Sequence, residues 1–158
     1  MADARFEDGD DGPLRLIARN AEDVPVLSAL LQDAVFPITE MKFDAKARRF
    51  AILANRFRWE DRAAAEAAKR PYERVRSLFV AEDVLRVRTS GIDRNDKDTV
   101  LSILSSDFAA GEDGTGTLTL TLAGDGAIAL DVETVDLRLE DVTKPYVAPS
   151  RKAPRHDD

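Results

Sequence analysis

The stretch GTLTLTLAGDGAIALDVE, residues 116–133, constrains the fold of this chain more than any other. Leucine alternates with threonine before the GDG triplet, and apolar residues alternate with short or polar ones after it. Alternate residues of a β-strand point to opposite faces, so the pattern predicts two antiparallel strands joined by a tight turn. The predicted loop is residues 124–126, with Gly126 in the left-handed conformation. In this register every inward residue meets an inward one, in the pairs Leu122 with Ile128, Leu120 with Leu130, and Leu118 with Val132.

One amphipathic helix is predicted near the N-terminus. Apolar residues recur at helical spacing between residues 20 and 34, in the series Val24, Leu27, Leu31, Ala34 and Val35. Asn20 is a suitable N-cap, but Pro25 lacks the amide hydrogen that a helix interior requires. We therefore expect a looser turn after Asn20 and a regular helix from about Asp23, with Pro25 in its first turn. Pro37 closes the segment.

Most of the remaining chain has the pattern of β-strands. Residues 38–43 and 49–59 flank the polar connection DAKAR and predict a hairpin. Residues 61–70, DRAAAEAAKR, are helix formers without a wide apolar face, and they predict an exposed, half-ordered excursion. Residues 96–110 fit a helix or a strand, and the strand is favoured because the segment leads into the leucine–threonine strand. Residues 134–142 also fit both structures.

Three arginine pairs with the pattern Arg-x-Arg lie on predicted strands. Residues two apart on a strand share a face, so each pair should present both guanidinium groups to one side. Residues 74–80 and 84–90 are predicted to form a hairpin around a three-residue loop, which sets Arg76 opposite Arg88. Like charges in that position are destabilising, so this face requires anions. The candidate binding residues are these arginines and one aromatic neighbour: Arg56, Arg58, Trp59, Arg74, Arg76, Arg86 and Arg88.

Two interpretations of the arginines remain open. The anions can be the protein's own, namely Glu60, Glu73, Asp93 or the acidic N-terminal segment, and the arginines are then structural. Alternatively, the face binds a protein or a small anionic ligand, because the planar guanidinium group pairs bidentately with carboxylate or phosphate. Trp59 and Tyr72 would add stacking surfaces. The functional hypothesis is therefore a non-catalytic interaction module.

The sequence offers few groups for catalysis or for a metal centre. It has no cysteine, and its one histidine is His156 near the C-terminus, so triads and histidine or thiolate metal sites are not expected in the body. Residues 91–98, GIDRNDKD, lack the central glycine and closing glutamate of a calcium loop and are interpreted as a turn. Asp131, Glu133 and Asp136 carry the alternative hypothesis, a small enzyme that uses carboxylates and a divalent metal. No cofactor is predicted.

Charge and composition indicate one soluble domain with terminal extensions. The formal net charge is −7, so nucleic acid is not an expected partner, and no stretch is apolar enough to cross a membrane. The absence of a signal-peptide pattern and of cysteine predicts a cytoplasmic location. Residues 1–12 are predicted to be disordered and acidic, residues 13–144 to form one domain, and residues 145–158 to be a flexible basic tail.

Several segments together resemble an alphaproteobacterial family known as domain of unknown function 2948: LIARNAEDVPVLSALLQDAV, RRFAILANRFRWE, RVRS, VLRVRTSGID and GTLTLTLAGDGAIALDVE. The resemblance covers about residues 14–146. It implies a bacterial, cytoplasmic, single-domain protein, but no activity, ligand or site residue.

The expected fold is α+β and mostly antiparallel sheet, with one N-terminal amphipathic helix packed on it. We expect seven to nine strands in two meanders, around residues 38–90 and 100–140, in a curled sheet or partly open barrel.

Overall fold

The computed structural model describes residues 12–147 and Pro154. The predictions for residues 1–11, 148–153 and 155–158 lie outside the described residues. The helices are α1 (Val24–Leu31) and α2 (Arg62–Ala68), with 3-10 turns at Ala21–Asp23, Ile38–Glu40 and Trp59–Asp61. The strands are β1 (Arg15–Ala18), β2 (Val35–Pro37), β3 (Met41–Asp44), β4 (Arg49–Phe57), β5 (Glu73–Ala81), β6 (Val84–Ser90), β7 (Val100–Ala110), β8 (Gly116–Leu122), β9 (Ala127–Val132), β10 (Leu137–Asp141) and β11 (Tyr146–Val147).

The eleven strands of the described residues join one antiparallel sheet that is not closed, which confirms the expected fold class. The strand order is β1-β10-β5-β4-β2-β7-β8-β9-β6, with β3 added on β4 and β11 added on β5. The short strand β2 connects the two halves of the sheet because it pairs with β4 and with β7. None of the described helices is long and apolar enough to span a membrane.

One hydrophobic core is shared by α1 and by both halves of the sheet. The inward side chains alternate along the strands, as the period-two pattern requires. On β4 the inward row begins with Phe50, Ile52 and Ala54, and on β8 it is Leu118, Leu120 and Leu122. Helix α1 adds Leu27, Leu30 and Leu31, all of them buried. The core therefore fixes which face of each strand carries the arginines.

The start of α1 follows the sequence prediction, but its end does not. The Asn20 side chain accepts a hydrogen bond from the Asp23 amide at 3.2 Å, a 3-10 turn precedes the helix, and Pro25 lies in its first turn. The helix ends at Leu31, earlier than predicted, and Asp33 has a φ of 65°. Val35 belongs to β2 and not to the predicted helical stripe.

The predicted hairpin of residues 74–80 with 84–90 is wrong. Strand β5 pairs with β4 and β10, whereas β6 pairs with β9 at the far end of the sheet. The chain crosses between the halves at Glu82 and Asp83, where Asp83 has a φ of 55°. Arg76 and Arg88 are therefore not opposite each other, and the electrostatic conflict inferred from that hairpin does not arise.

The hairpin of β8 with β9 exists, but its register differs from the prediction by two residues. Leu120 is opposite Ile128, Leu118 is opposite Leu130, and Thr117 is opposite Asp131. The left-handed residues of the turn are Gly124 and Asp125, with φ of 81° and 68°, and not Gly126. A shift of two residues keeps every side chain on its face, so the division into inward leucines and outward threonines is unaffected.

The segments that fitted both helix and strand are strands: β7 covers most of residues 96–110, and β10 lies within residues 134–142. The hairpin around DAKAR forms between β3 and β4. Residues 62–68 are helical, and the full burial of Ala65 attaches α2 to the domain. The described residues form eleven strands rather than seven to nine, and β11 pairs with β5 beyond the predicted domain end at residue 144.

Candidate functional site

The candidate residues do not share one face. The structure divides them into three groups: an internal cluster around Arg56, Arg58 and Trp59, a pair on the outer face of β5, and a pair on β6. The β5 pair is Arg74 and Arg76, and the β6 pair is Arg86 and Arg88. The single arginine-bearing surface expected from the sequence is therefore not formed.

Arg56 continues the inward row of β4 and is fully buried, with 0% exposure. Its guanidinium group donates two hydrogen bonds to the Glu60 carboxylate, at 2.8 and 2.7 Å, and it also donates to both oxygens of Asp141, at 3.0 Å to Oδ1 and 3.3 Å to Oδ2. Its Nε donates to Ser77 Oγ at 3.0 Å. Burial alone would lower the pKa of Arg56, but the hydrogen bonds and charges of Glu60 and Asp141 raise it above its ordinary value.

Arg58 is also internal, and it anchors the segment that carries α2. It donates to Glu73 Oε1 in a short hydrogen bond and lies 3.6 Å from the Asp61 carboxylate. Arg70 holds the same carboxylate in a bidentate pair, with both hydrogen bonds at 2.6 Å. This hydrogen bond from Arg70 lowers the pKa of Asp61 despite the burial of that group. Arg58 therefore ties the start of residues 59–70 to β5, and Arg70 joins the end of this segment to its start.

Trp59 is engaged within the domain. Its indole Nε1 donates to the Gln32 carbonyl oxygen at 2.8 Å, and its ring meets Phe57 edge to face with centroids 4.6 Å apart. The Arg62 guanidinium carbon lies 5.8 Å from the Trp59 ring centroid. Tyr72, the other predicted stacking residue, packs on Phe57 and donates its hydroxyl to Glu66. Both rings help to cover Phe57, which explains their position without a ligand.

Arg86 and Arg88 lie on the outer face of β6 and share one carboxylate. Arg86 Nε and Arg88 Nε donate to Asp131 Oδ2 at 3.0 and 3.1 Å, and Arg88 Nη2 donates to Asp131 Oδ1 at 2.7 Å. Together with Thr117, they hold the pKa of Asp131 at about 2. The arginine side chains remain 68% and 49% exposed. Two positive charges thus meet one negative charge at this surface.

Arg74 and Arg76 lie on the outer face of β5, and neither is paired with a carboxylate in the described part of the chain. Arg74 is half-buried, and it donates to the Asn55 carbonyl oxygen at 3.3 Å and to Asn55 Oδ1 at 3.4 Å. Its guanidinium carbon lies 6.0 Å from the Phe57 ring centroid. Burial lowers the pKa of Arg74, against the opposing charges of Tyr146 and Asp33. Arg76 is exposed, and its guanidinium group forms no hydrogen bond or ion pair with a described residue.

Two of the three carboxylates of the enzyme hypothesis are paired with arginines. Asp131 binds Arg86 and Arg88, and Glu133 accepts a hydrogen bond from Arg48 at 2.9 Å. Among the described residues no group of three or more histidine, cysteine, aspartate or glutamate side chains is arranged to hold a metal ion.

The sequence interpretation missed two partners of Arg56, Ser77 and Asp141. Ser77 faces inward on β5 next to the Arg56 side chain, and Asp141 ends β10. Glu60, the third partner, is one of the protein's own carboxylates that the sequence suggested as partners of the arginines. The signal for Ser77 was available, since a polar residue sits between the inward apolar residues Val75 and Phe79. No local signal connects Asp141 with a residue 85 positions earlier.

Comparison with known proteins gives a family but no function. Searches of curated proteins and of solved structures found no match. A family model described as "Protein of unknown function (DUF2948)" matches residues 14–156, most of the chain, while the alphaproteobacterial origin stays a prediction. On this match, the chain belongs to the DUF2948 family.

Proposed function

We propose that this protein is a non-catalytic interaction module that binds an acidic segment of a partner protein. The binding surface is the outer face of β4 and β5, here called the outer β4–β5 face. It consists of Leu53 and Asn55 on β4 and of Arg74, Arg76 and Leu78 on β5. The proposal refines the sequence hypothesis by assigning binding to one arginine pair.

The observation that carries the proposal is the environment of Arg74. A half-buried guanidinium group normally has an anionic partner, because removing a charge from water is costly unless it is paired. Every other arginine of the described chain that is not exposed has a carboxylate within 4 Å, namely Arg56, Arg58 and Arg138. Arg74 donates only to the oxygens of Asn55 and lies beside the Phe57 ring, and the Asp33 and Tyr146 charges that act on it form no ion pair or hydrogen bond with it. A carboxylate of a partner would therefore gain a bidentate site that is already partly desolvated.

The apolar part of the same face supports a protein partner rather than a small anion. Leu53 is directly opposite Leu78, and Asn55 is opposite Arg76 in the pairing of β4 with β5. Both leucines are half-buried and point away from the core. An apolar strip beside two unpaired arginines is complementary to a segment that carries both acidic and apolar side chains.

The proposal can be tested by NMR on the full chain. The probe is a synthetic peptide with two Asp-Asp-Leu-Leu repeats, and poly-L-glutamate is the purely anionic comparison. The peptide should shift the side-chain signals of Arg74, Leu53 and Leu78, and poly-L-glutamate should shift those of the arginines alone. A higher salt concentration should weaken the binding of the peptide and of poly-L-glutamate, because salt screens contacts between exposed charges.

The double variant R74E/R76E should remove these shifts, and the matched variant R86E/R88E should retain them. Thermal unfolding of each variant verifies that the domain is folded. Peptide-induced shifts that persist in R74E/R76E, or shifts that cluster away from the outer β4–β5 face, would refute the proposal.

A further inference from the structure

The far end of the sheet carries a second surface that the proposed function does not use. Strand β6 is the last strand in the sheet order, and among the described strands it pairs with β9 alone. Alternate backbone amide and carbonyl groups of an edge strand point outward without a ladder partner. Only the first residue of the strand, Val84, donates its amide elsewhere, to the Arg48 carbonyl oxygen at 2.9 Å. After an irregularity in the pairing between Val84 and Arg86, the regular part of β6, from Arg86 to Ser90, is available as an edge.

The side chains of β6 define what this edge can accept. Arg86 and Arg88 point to the outer face and share Asp131, so the surface keeps one unbalanced positive charge. Val87, between them, points inward and packs against the core. A strand added beside β6 would place its outward residues next to the two arginines and its inward residues next to Val87.

We propose that β6 is a docking edge for an extended acidic segment of a partner protein, which adds to the sheet as one more strand. The segment alternates acidic and apolar residues, with its carboxylates beside Arg86 and Arg88. Backbone hydrogen bonds supply the part of the affinity that does not depend on the sequence of the segment. The alternate carboxylates supply the specificity, as in other cases of strand addition.

Charge and composition argue against two other occupants of the edge. A second copy that paired β6 with β6 around a two-fold axis would set arginine against arginine, and like charges directly opposite are destabilising. The chain's own residues 1–11 are acidic, but they are rich in aspartate, which strands disfavour. An acidic partner segment that also contains β-forming apolar residues complements the arginines and can form a strand.

The test uses the full chain and a fluorescein-labelled peptide with four Glu-Val repeats, and binding is followed by fluorescence anisotropy. A peptide of Glu-Glu-Val-Val repeats has the same composition but cannot place all its acids on one face of a strand. The alternating peptide should bind more tightly than this comparison peptide. R86E/R88E should weaken its binding roughly tenfold or more, and R74E/R76E, on the other surface, should leave it unchanged.

Backbone methylation distinguishes strand addition from a simple charge contact. One peptide is N-methylated at its glutamates and another at its valines, and only one of these two sets can face β6. One peptide should therefore lose binding while the other retains it.

Three outcomes would overturn the proposal. They are equal binding of the two methylated peptides, equal binding of the alternating and comparison peptides, and tenfold tighter binding after Asp8, Asp10 and Asp11 are changed to asparagine. The last result would assign the edge to the chain's own N-terminal segment. Because the variants of the two surfaces differ, failure here is distinguishable from failure of the outer β4–β5 face.

Discussion

Replacement of Arg56 by alanine should be one of the most destabilising single changes in this domain. The Arg56 side chain is fully buried, and it holds the Asp141 carboxylate, which is 4% exposed, as well as Glu60. Without the guanidinium group, Asp141 retains only the Ser77 hydroxyl and the Leu14 amide as donors. Breaking one side of a buried ion pair costs about 3–5 kcal/mol, because the other charge stays buried and unpaired.

That loss is large for a domain whose total free energy of unfolding is expected to be about 5–15 kcal/mol. At this chain length each kcal/mol lowers the melting temperature by about 2–4 °C, so Arg56→Ala should melt roughly 6–20 °C below the wild type. Differential scanning calorimetry and urea unfolding measure the change. Arg56→Lys should recover part of it, because an ammonium group keeps the charge but not the bidentate fork.

Arg86→Ala is the matched control, since Arg86 makes an ion pair of similar length at an exposed site. Exposed pairs contribute about 0–1 kcal/mol, so this variant should melt close to the wild type. Equal decreases in melting temperature for Arg56→Ala and Arg86→Ala would refute the reasoning, because burial would then have no effect on the energy of the ion pair.

Three further changes test other parts of the structure. Gly116→Ala should lower the free energy of unfolding, measured by urea titration, by about 1–3 kcal/mol. The reason is that the added Cβ would lie 2.6 Å from the backbone oxygen of Ala109. Arg88 holds the pKa of Asp131 near 2, below the ordinary 3.8. The contribution of the Asp131 carboxylate to the stability of the fold is therefore complete above pH 3.8 and is lost as the pH falls toward 2. The stability difference between wild type and D131N should therefore shrink in that range in acid unfolding curves. Lys69→Gly should increase hydrogen-exchange protection of α2 by about 0.5 kcal/mol, because its φ of 56° suits glycine.

The parts of the fold that sequence predicted are those set by local chemistry. The start of α1 followed from Asn20 and Pro25, because capping and the missing proline amide act within one turn. The inward and outward faces of β8 and β9 followed from alternation alone. The register of that hairpin did not, since a slip of two residues preserves every face and binary patterning cannot detect it. Only the turn geometry at Gly124 and Asp125 decides between the two registers.

The pairing of β5 and β6 failed for a different reason. The match between inward residues on two strands shows which face of the sheet each residue occupies. It does not identify which strand lies next to which. Strands β5 and β6 are separated by two residues, yet they pair with β10 and β9, about fifty residues later in the chain. A left-handed residue at Asp83 fits a crossing between the halves of the sheet as well as a hairpin loop. The choice depends on long-range burial, which no local pattern contains.

The alternation of inward and outward residues along β4 could have shown that Arg56, unlike the arginines of β5 and β6, faces the core. In β5 and β6 the apolar residue between each pair, Val75 or Val87, points inward, so the arginines point outward. In β4 the inward row runs from Phe50 through Ile52 and Ala54, and its continuation is Arg56, not Phe57. The same motif therefore produces an internal ion pair in one strand and an exposed charge pair in another. An arginine in the inward row requires buried carboxylates, so we expect such a residue to be structural, and binding hypotheses should begin with the arginines of the outward row.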